Sequence, residues 1–266
     1  ISQRFNHFYL FIKNIREIEI VKDVKKLIEE YEEKCGDREK FLWKWVYTFT
    51  TERNPGIVLS VVPEEYTEEL GKLKTLLVLF VSVFDDLADL YKVEELFESG
   101  IGFHLNKNRR QKLRNNTVLD REEIEFTSKV WEEIENRVKK LPRFQEFKKI
   151  FRYDMKQVFN SFYHSILVNN NPSILNFTEA QNYGSHNMVL YPQTDIDLMA
   201  SPDFETKDLP FIREIIWRSQ YMARIGNWLT TWKREFKERD YSSGIFGYAV
   251  VNGIISPEEI HQGLEK

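Results

Sequence analysis

A single cysteine, Cys35, stands among 266 residues. That excludes an intramolecular disulfide framework and a cysteine-rich zinc site, and nothing marks an oxidising compartment. A basic surplus is missing too: 38 Lys and Arg against 42 Asp and Glu leave a net charge of −4. Binding to a phosphate backbone needs that surplus. No nucleic-acid partner is therefore expected, and clusters such as Arg109-Arg110 and Lys139-Lys140 read as solvated surface. No apolar run reaches the roughly 18 residues of a membrane span. The most apolar stretch, residues 76–84, falls well short and leads into acids, so stable membrane insertion is not expected. The N-terminus carries no signal-peptide pattern, and a cytoplasmic location is expected. Glycine (11) and proline (8) are sparse, and strand-like alternation is absent over any useful length.

What is present is helical periodicity. Over residues 15–31, apolar side chains recur at Ile15, Ile18, Val21, Val24, Leu27, Ile28 and Tyr31. That is one stripe of an amphipathic helix, which Gly36 would close. A second helix reads 38–53 and stops before Asn54-Pro55-Gly56. Pro63-Glu64-Glu65 opens a third, with acids at the positive end of the helix dipole. It runs to Tyr91 and is apolar on nearly every side of its later turns, so burial is expected. Residues 99–116 read as a loop. Helices resume at 121–140 and 144–168 and break at Asn169-Asn170-Asn171-Pro172. A weaker helix over 178–189 contains Gly184, and 191–210 reads mostly as loop, with 195–199 able to be helical. One long helix is expected over 209–240, and short ones after Ser242 and Ser256, the latter on a Ser-Pro-Glu-Glu start pattern. No repeat or linker interrupts the chain, so one all-α domain over 1–266 is expected.

The apolar third helix ends in Asp85-Asp86-Leu87-Ala88-Asp89. Asp85 and Asp89 are i and i+4, on one face. Three carboxylates so close repel one another, and after an apolar run they are costly to bury unless a cation neutralises them. Magnesium prefers oxygen ligands and commonly bridges carboxylate to phosphate. The late long helix holds a second oxygen-rich stripe: Asn227, Thr231 and Glu235 at i, i+4 and i+8. An amide oxygen, a hydroxyl and a carboxylate together suit one hard cation. Trp228, Leu229 and Trp232 take the other faces. Aromatics are plentiful, with 20 Phe, 12 Tyr and 6 Trp. Such rings ordinarily fill a core; Phe80, Phe84, Phe159, Tyr183 and Trp228 are the candidates for lining an apolar cavity as well.

Together the two stripes resemble the signatures of the class I terpene synthases, an aspartate-rich DDxxD motif and a later (N/D)Dxx(S/T)xxxE motif. Asp85, Asp86 and Asp89 match the first, and Asn227, Thr231 and Glu235 match the liganding positions of the second. The resemblance runs from about Ile15 to the end. It implies a single-domain, isoprenoid-synthase-like helical bundle around a central apolar cavity. It also implies Mg²⁺ dependence, with three ions and Mn²⁺ as an alternative. Asp85, with Asp86, would ligate two ions, and the Asn-Thr-Glu triad the third. Asp89 completes the acidic motif as a further candidate metal residue, and in the family it often acts indirectly, fixing basic side chains on closure. Arg234, just before Glu235, occupies the position that contacts diphosphate. The implied reaction ionises a linear prenyl diphosphate, farnesyl or geranylgeranyl diphosphate. The carbocation then cyclises or rearranges to a terpene as diphosphate is released, which makes the enzyme a lyase of isoprenoid biosynthesis. Homodimers are common in the family, so a homodimer is an expectation here.

The chain departs from the family in three ways. Trp228 stands where an Asp is usual, at a position that is not a ligand. Gln181 stands where bacterial members carry a diphosphate-sensing arginine, leaving His186 and Arg224 as alternatives for that work. The C-terminal Arg-Tyr pair of the family is absent, and members usually continue with further helices where this sequence stops. Two other readings stand beside the first. A chain-elongating prenyl diphosphate synthase of the same fold would carry a second aspartate-rich motif in place of the Asn-Thr-Glu triad. A non-catalytic helical protein that binds isoprenoids would need neither motif to work as a metal site.

Overall fold

The computed structural model describes residues 58–91 and 121–262, together with 26, 27, 29, 30 and 33. The helix expected over 38–53, the loop over 99–116 and Cys35 lie outside the described residues. Of the helix expected over 15–31, Lys26, Leu27, Glu29 and Glu30 are described and are helical. Among the described residues there are eight α-helices and no strand, so the chain is all-α. They are α1 (Glu64–Tyr91), α2 (Arg121–Val138), α3 (Phe144–Asn170), α4 (Phe177–Asn182), α5 (Leu190–Met199), α6 (Leu209–Glu238), α7 (Gly244–Val251) and α8 (Pro257–Gln262). Short 3-10 turns lie at Pro172–Ile174, Gly184–Met188 and Thr206–Asp208. None of the described helices is long and apolar enough to cross a membrane.

The chain divides into two compact units. The first comprises Ile1–Phe80, Asp120–Glu146 and Ile196–Asp203. Its interior holds Leu70, Leu73, Leu76, Leu77 and Phe80 of α1 and Phe126, Val130, Trp131 and Ile134 of α2. The Phe80 and Trp131 rings meet at 5.0 Å between centroids, and Arg137 donates to both carboxylate oxygens of Glu69 at 2.9 Å. One charge sits among these apolar side chains. Lys74 is fully buried and its Nζ lies 2.6 Å from Asp197 Oδ1, while Asp197 Oδ2 accepts the Leu59 N–H at 3.0 Å. Burial pulls the Lys74 ammonium below its ordinary range and pushes the Asp197 carboxyl above its own, and their mutual attraction opposes both shifts.

The second unit comprises Val81–Leu119, Phe147–Asp195 and Phe204–Lys266. Part of its core is Val168, Leu175, Tyr241, Phe246 and Ile260. α7 packs against α4 and α6 at a spacing that only glycine allows. A Cβ on Gly247 would fall 2.8 Å from the Asn176 carbonyl carbon, and one on Gly244 would fall 2.4 Å from the Trp228 ring. Asn176 caps α4 by accepting the Glu179 N–H at 2.9 Å. Ser256 and Glu259 form a reciprocal capping box at α8, as its start pattern predicts.

Two segments differ from expectation. Where loop is expected from residue 191, α5 runs Leu190–Met199. Pro192 does not prevent this, because it sits in the first turn, where its missing N–H has no helical partner to lose. The helix expected over 178–189 is broken. α4 ends at Asn182, and Gly184–Met188 is a tighter 3-10 turn that closes on Val189 with φ of 62°. A β-branched residue in the left-handed region costs on the order of 1–3 kcal/mol. That strain stands two residues after Asn187, whose side chain matters below.

Candidate functional site

α6 turns its polar side inward. Its buried residues are Gln220, Arg224, Trp228 and Glu235, with Asn227 and Thr231 half-buried between them. Phe211, Ile215, Met222 and Leu229 are exposed on it instead. A helix that buries amides, a guanidinium and a carboxylate must satisfy them or bear a desolvation cost. Each inward group is therefore a question about its partner.

At the C-terminal end, Thr231 Oγ1 lies 2.6 Å from Glu235 Oε1 and 2.7 Å from the Asn227 carbonyl oxygen. A hydroxyl has one proton, so it can donate to only one of them at a time. Burial pushes the Glu235 carboxyl above its ordinary range and Asp240 adds to this, while Thr231, Arg224 and the Ser243 hydroxyl counteract it. Glu235 Oε2 is buried and makes no hydrogen bond of good geometry, and neither does Ser243 Oγ. One turn back, Asn227 Oδ1 accepts from Arg224 Nη1 at 2.8 Å. The same Nη1 reaches Asn187 Oδ1 at 3.3 Å. Asn187 in turn offers Nδ2 to Asp85 Oδ1, a long contact of 3.5 Å.

This chain of contacts joins the two sequence motifs. Asp85 of the acidic motif and Asn227 of the triad are separated by only two side chains, those of Asn187 and Arg224. All four residues belong to the second unit. Asp86 and Asp89 share α1 with Asp85, and their side chains lie outside the described residues. Compared with known protein families, with curated proteins and with solved structures, the chain matches none. Its chemistry therefore has to be read from the arrangement itself.

Among the described residues, no three His, Cys, Asp or Glu gather as a metal cluster. The oxygens on offer on α6 are mixed: the Asn227 amide, the Thr231 hydroxyl and the buried Glu235 carboxylate. That donor set fits a hard divalent cation better than a soft one. A buried carboxylate oxygen held only by a poorly aligned hydroxyl, that of Ser243, is the kind of group a cation satisfies.

The candidate rings separate into groups. In the second unit, Phe84 and Phe159 are buried edge-to-face at 5.4 Å. Trp228 is buried between Phe177 and Tyr221, with the Arg224 guanidinium 5.6 Å from its ring. Tyr183 is 47% exposed and lies against His164. Phe80 belongs to the core of the first unit, against Trp131. Arg234 is exposed on α6.

The inward polar stripe of α6 extends further than the motif. Gln220 is fully buried, and its Nε2 lies 3.4 Å from His186 Nδ1. Arg213 forks onto Asp154 at 2.7 and 2.9 Å and stacks over Tyr191. Burial, then the adjacent Asp154, pushes the Asp195 carboxyl well above its ordinary range. Sequence reasoning had no means of finding Asn187, Gln220 or the Asp154–Asp195 pair. The Asn187–Asp85 contact spans 102 positions, and local spacing carries no information about it. A signal for Arg224 does exist, because it stands one turn before Asn227 on the same face.

Proposed function

We propose that this protein is a Mg²⁺-dependent class I terpene synthase. It would ionise a linear prenyl diphosphate and steer the resulting carbocation to a cyclic or rearranged terpene. The observation that carries the reading is the proximity of Asp85 to Asn227 through Asn187 and Arg224, beside the buried Glu235 carboxylate. Asp85 and Asp86 on one side, and Asn227, Thr231 and Glu235 on the other, would hold the ions. Bound Mg²⁺ would neutralise the diphosphate and make it a better leaving group.

The chain's own part is positioning and exclusion. Thr231 orients the Glu235 carboxylate, and the helical spacing of Asn227, Thr231 and Glu235 keeps three oxygens on one face. The buried rings of Phe84, Phe159 and Trp228 would supply apolar walls and negative π-faces for a cation, and would keep out water that could capture it early. A cytoplasmic location and a homodimer belong to the same reading.

The test is incubation with geranyl, farnesyl or geranylgeranyl diphosphate and Mg²⁺, analysing hydrocarbon, alcohol and diphosphate products. Terpene formation that Asp85→Asn abolishes is the expected result. Longer diphosphates, formed only when isopentenyl diphosphate is added, would make the protein a chain-elongating enzyme. No turnover with any substrate would favour an isoprenoid-binding protein.

A further inference from the structure

The outer side of α6 carries a pattern of its own. Phe211, Ile215, Arg218, Met222, Ile225, Leu229 and Trp232 stand alternately four and three residues apart. That is the a/d spacing of a helix that pairs along a seam, held over three heptads, and six of the seven are apolar. The helical period sets this row opposite Gln220, Asn227 and Thr231. Phe211 is 70% exposed, Ile215 57%, Met222 71% and Leu229 65%. A Cβ on Gly226, which borders the row, would meet nothing within 4 Å. Single apolar side chains on a surface are ordinary, but a continuous row along one helix marks a contact face.

Area and charge both suit a second copy. A large apolar side chain brings on the order of 150–250 Å², so these four leave about 450 Å² in water. The Trp232 ring and the stems of Arg218 and Lys233 raise one face to about 600 Å². Two such faces bury about 1,200 Å², the lower end for a specific contact between proteins. The ends of the row differ in sign. Around its start Glu205, Asp208 and Glu214 stand exposed against Lys207. Around its end Lys233, Arg234, Lys237 and Arg239 stand exposed against Glu238. Parallel pairing of two copies would set like charge on like, whereas antiparallel pairing sets an acidic end on a basic end twice. The spacing agrees. Ile215, Met222 and Leu229 are seven residues apart, so a two-fold axis at Met222 brings Ile215 of one copy to Leu229 of the other. We infer that the outer face of α6 is a self-complementary seam on which a second copy of this chain docks antiparallel. This gives the homodimer a surface, but it rests on the outer face alone and not on the metal chemistry proposed for the inner one.

Sedimentation velocity of the full chain, from about 1 to about 200 µM, should show a reversible monomer–dimer equilibrium centred in the micromolar range. Below that range the face is bare, so truncating Leu229 costs the monomer little and shows only as weaker association. Met222→Glu sets two carboxylates face to face at the axis and should weaken association about a hundredfold or more. Its circular dichroism and melting temperature at low concentration should match the parent, because the position is exposed. Tyr153→Glu, at an exposed ring on α3, should leave association unchanged. In a Cys35→Ser background, Met222→Cys should cross-link to itself on oxidation and Phe211→Cys should not. Cross-linking of both would mean parallel helices and overturn the antiparallel seam. A dimer that survives Met222→Glu places the contact elsewhere and overturns it too. So does a parent that stays monomeric throughout; if that monomer sediments with anionic phospholipid vesicles and Met222→Glu does not, the face serves a membrane surface instead. Prenyl diphosphate turnover, measured on the same proteins, reads the inner face separately, so either idea can fail while the other stands.

Discussion

Helices α1 and α6 are nearly equal in length, 28 and 30 residues, yet they hide opposite chemistry. From Leu70 to Phe84, α1 buries leucines, valines and phenylalanines, with Lys74 and Thr75 as its buried polar side chains. α6 buries Gln220, Arg224, Trp228 and Glu235 and leaves Phe211, Ile215, Met222 and Leu229 exposed. The first is what a core demands: apolar area removed from water on nearly every side. The second gains little from burial, and its inward groups need partners. A helix arranged against the hydrophobic rule points to a requirement other than stability.

The comparison breaks most severely at Lys74, a buried charge in the apolar part of α1. Lys74→Met should destabilise by about 3–5 kcal/mol, because Asp197 would remain buried without its counter-charge. Urea unfolding measures this, and Lys74→Met with Asp197→Leu should recover most of the loss. Matched leucines sharpen the contrast. Leu76→Ala, at a fully buried position, should cost about 2–5 kcal/mol. Leu229→Ala on α6, 65% exposed, should stay within about 0.5 kcal/mol. Equal costs would mean that α6 is covered in solution.

On the polar face, removing a charge should affect activity rather than stability. Glu235→Gln should lower turnover of a prenyl diphosphate by about a hundredfold or more, while the melting temperature holds or rises. A fall in stability equal to the fall in turnover would make Glu235 a structural residue. The smallest expected effect depends on pH. The folded state holds the Asp195 carboxyl above its unfolded value, so folded protein keeps a proton that unfolded protein has released. The neutral form's contribution is full below about pH 4, the unfolded value, and declines as pH rises toward the folded value. Asp195→Asn removes that decline. Its melting temperature relative to the parent should climb between acid and neutral pH, whereas Asp154→Asn, which strips Arg213 of its forked partner, should be destabilising at neutral pH.

Much of the fold was legible because its signals are local. Pro63-Glu64-Glu65 marks the start of α1, and the structure begins the helix at Glu64. α6 was expected over 209–240 and is observed at Leu209–Glu238. The Ser256 box was readable from four residues. The first half of α5 reads as loop because Pro192 looks like a breaker unless it is known to fall in a first turn, while 195–199 could be read as helical. The site was legible only in halves. Each oxygen stripe has a helical spacing, so each could be read from its own segment.

The positions of α1 and α6, the apolar burial of α1, and the grouping of Asp85 with Asp89 or Asn227 with Glu235 follow from the sequence alone, since a 3.6-residue period sets which neighbours share a side; which side of α6 turns inward does not. The meeting of Asp85 with Asn187, of Asn187 with Arg224 across 37 positions, and of Lys74 with Asp197 belongs to the tertiary structure. These contacts depend on how distant segments come together, and a buried charge finds its partner by proximity in space, which no local period encodes.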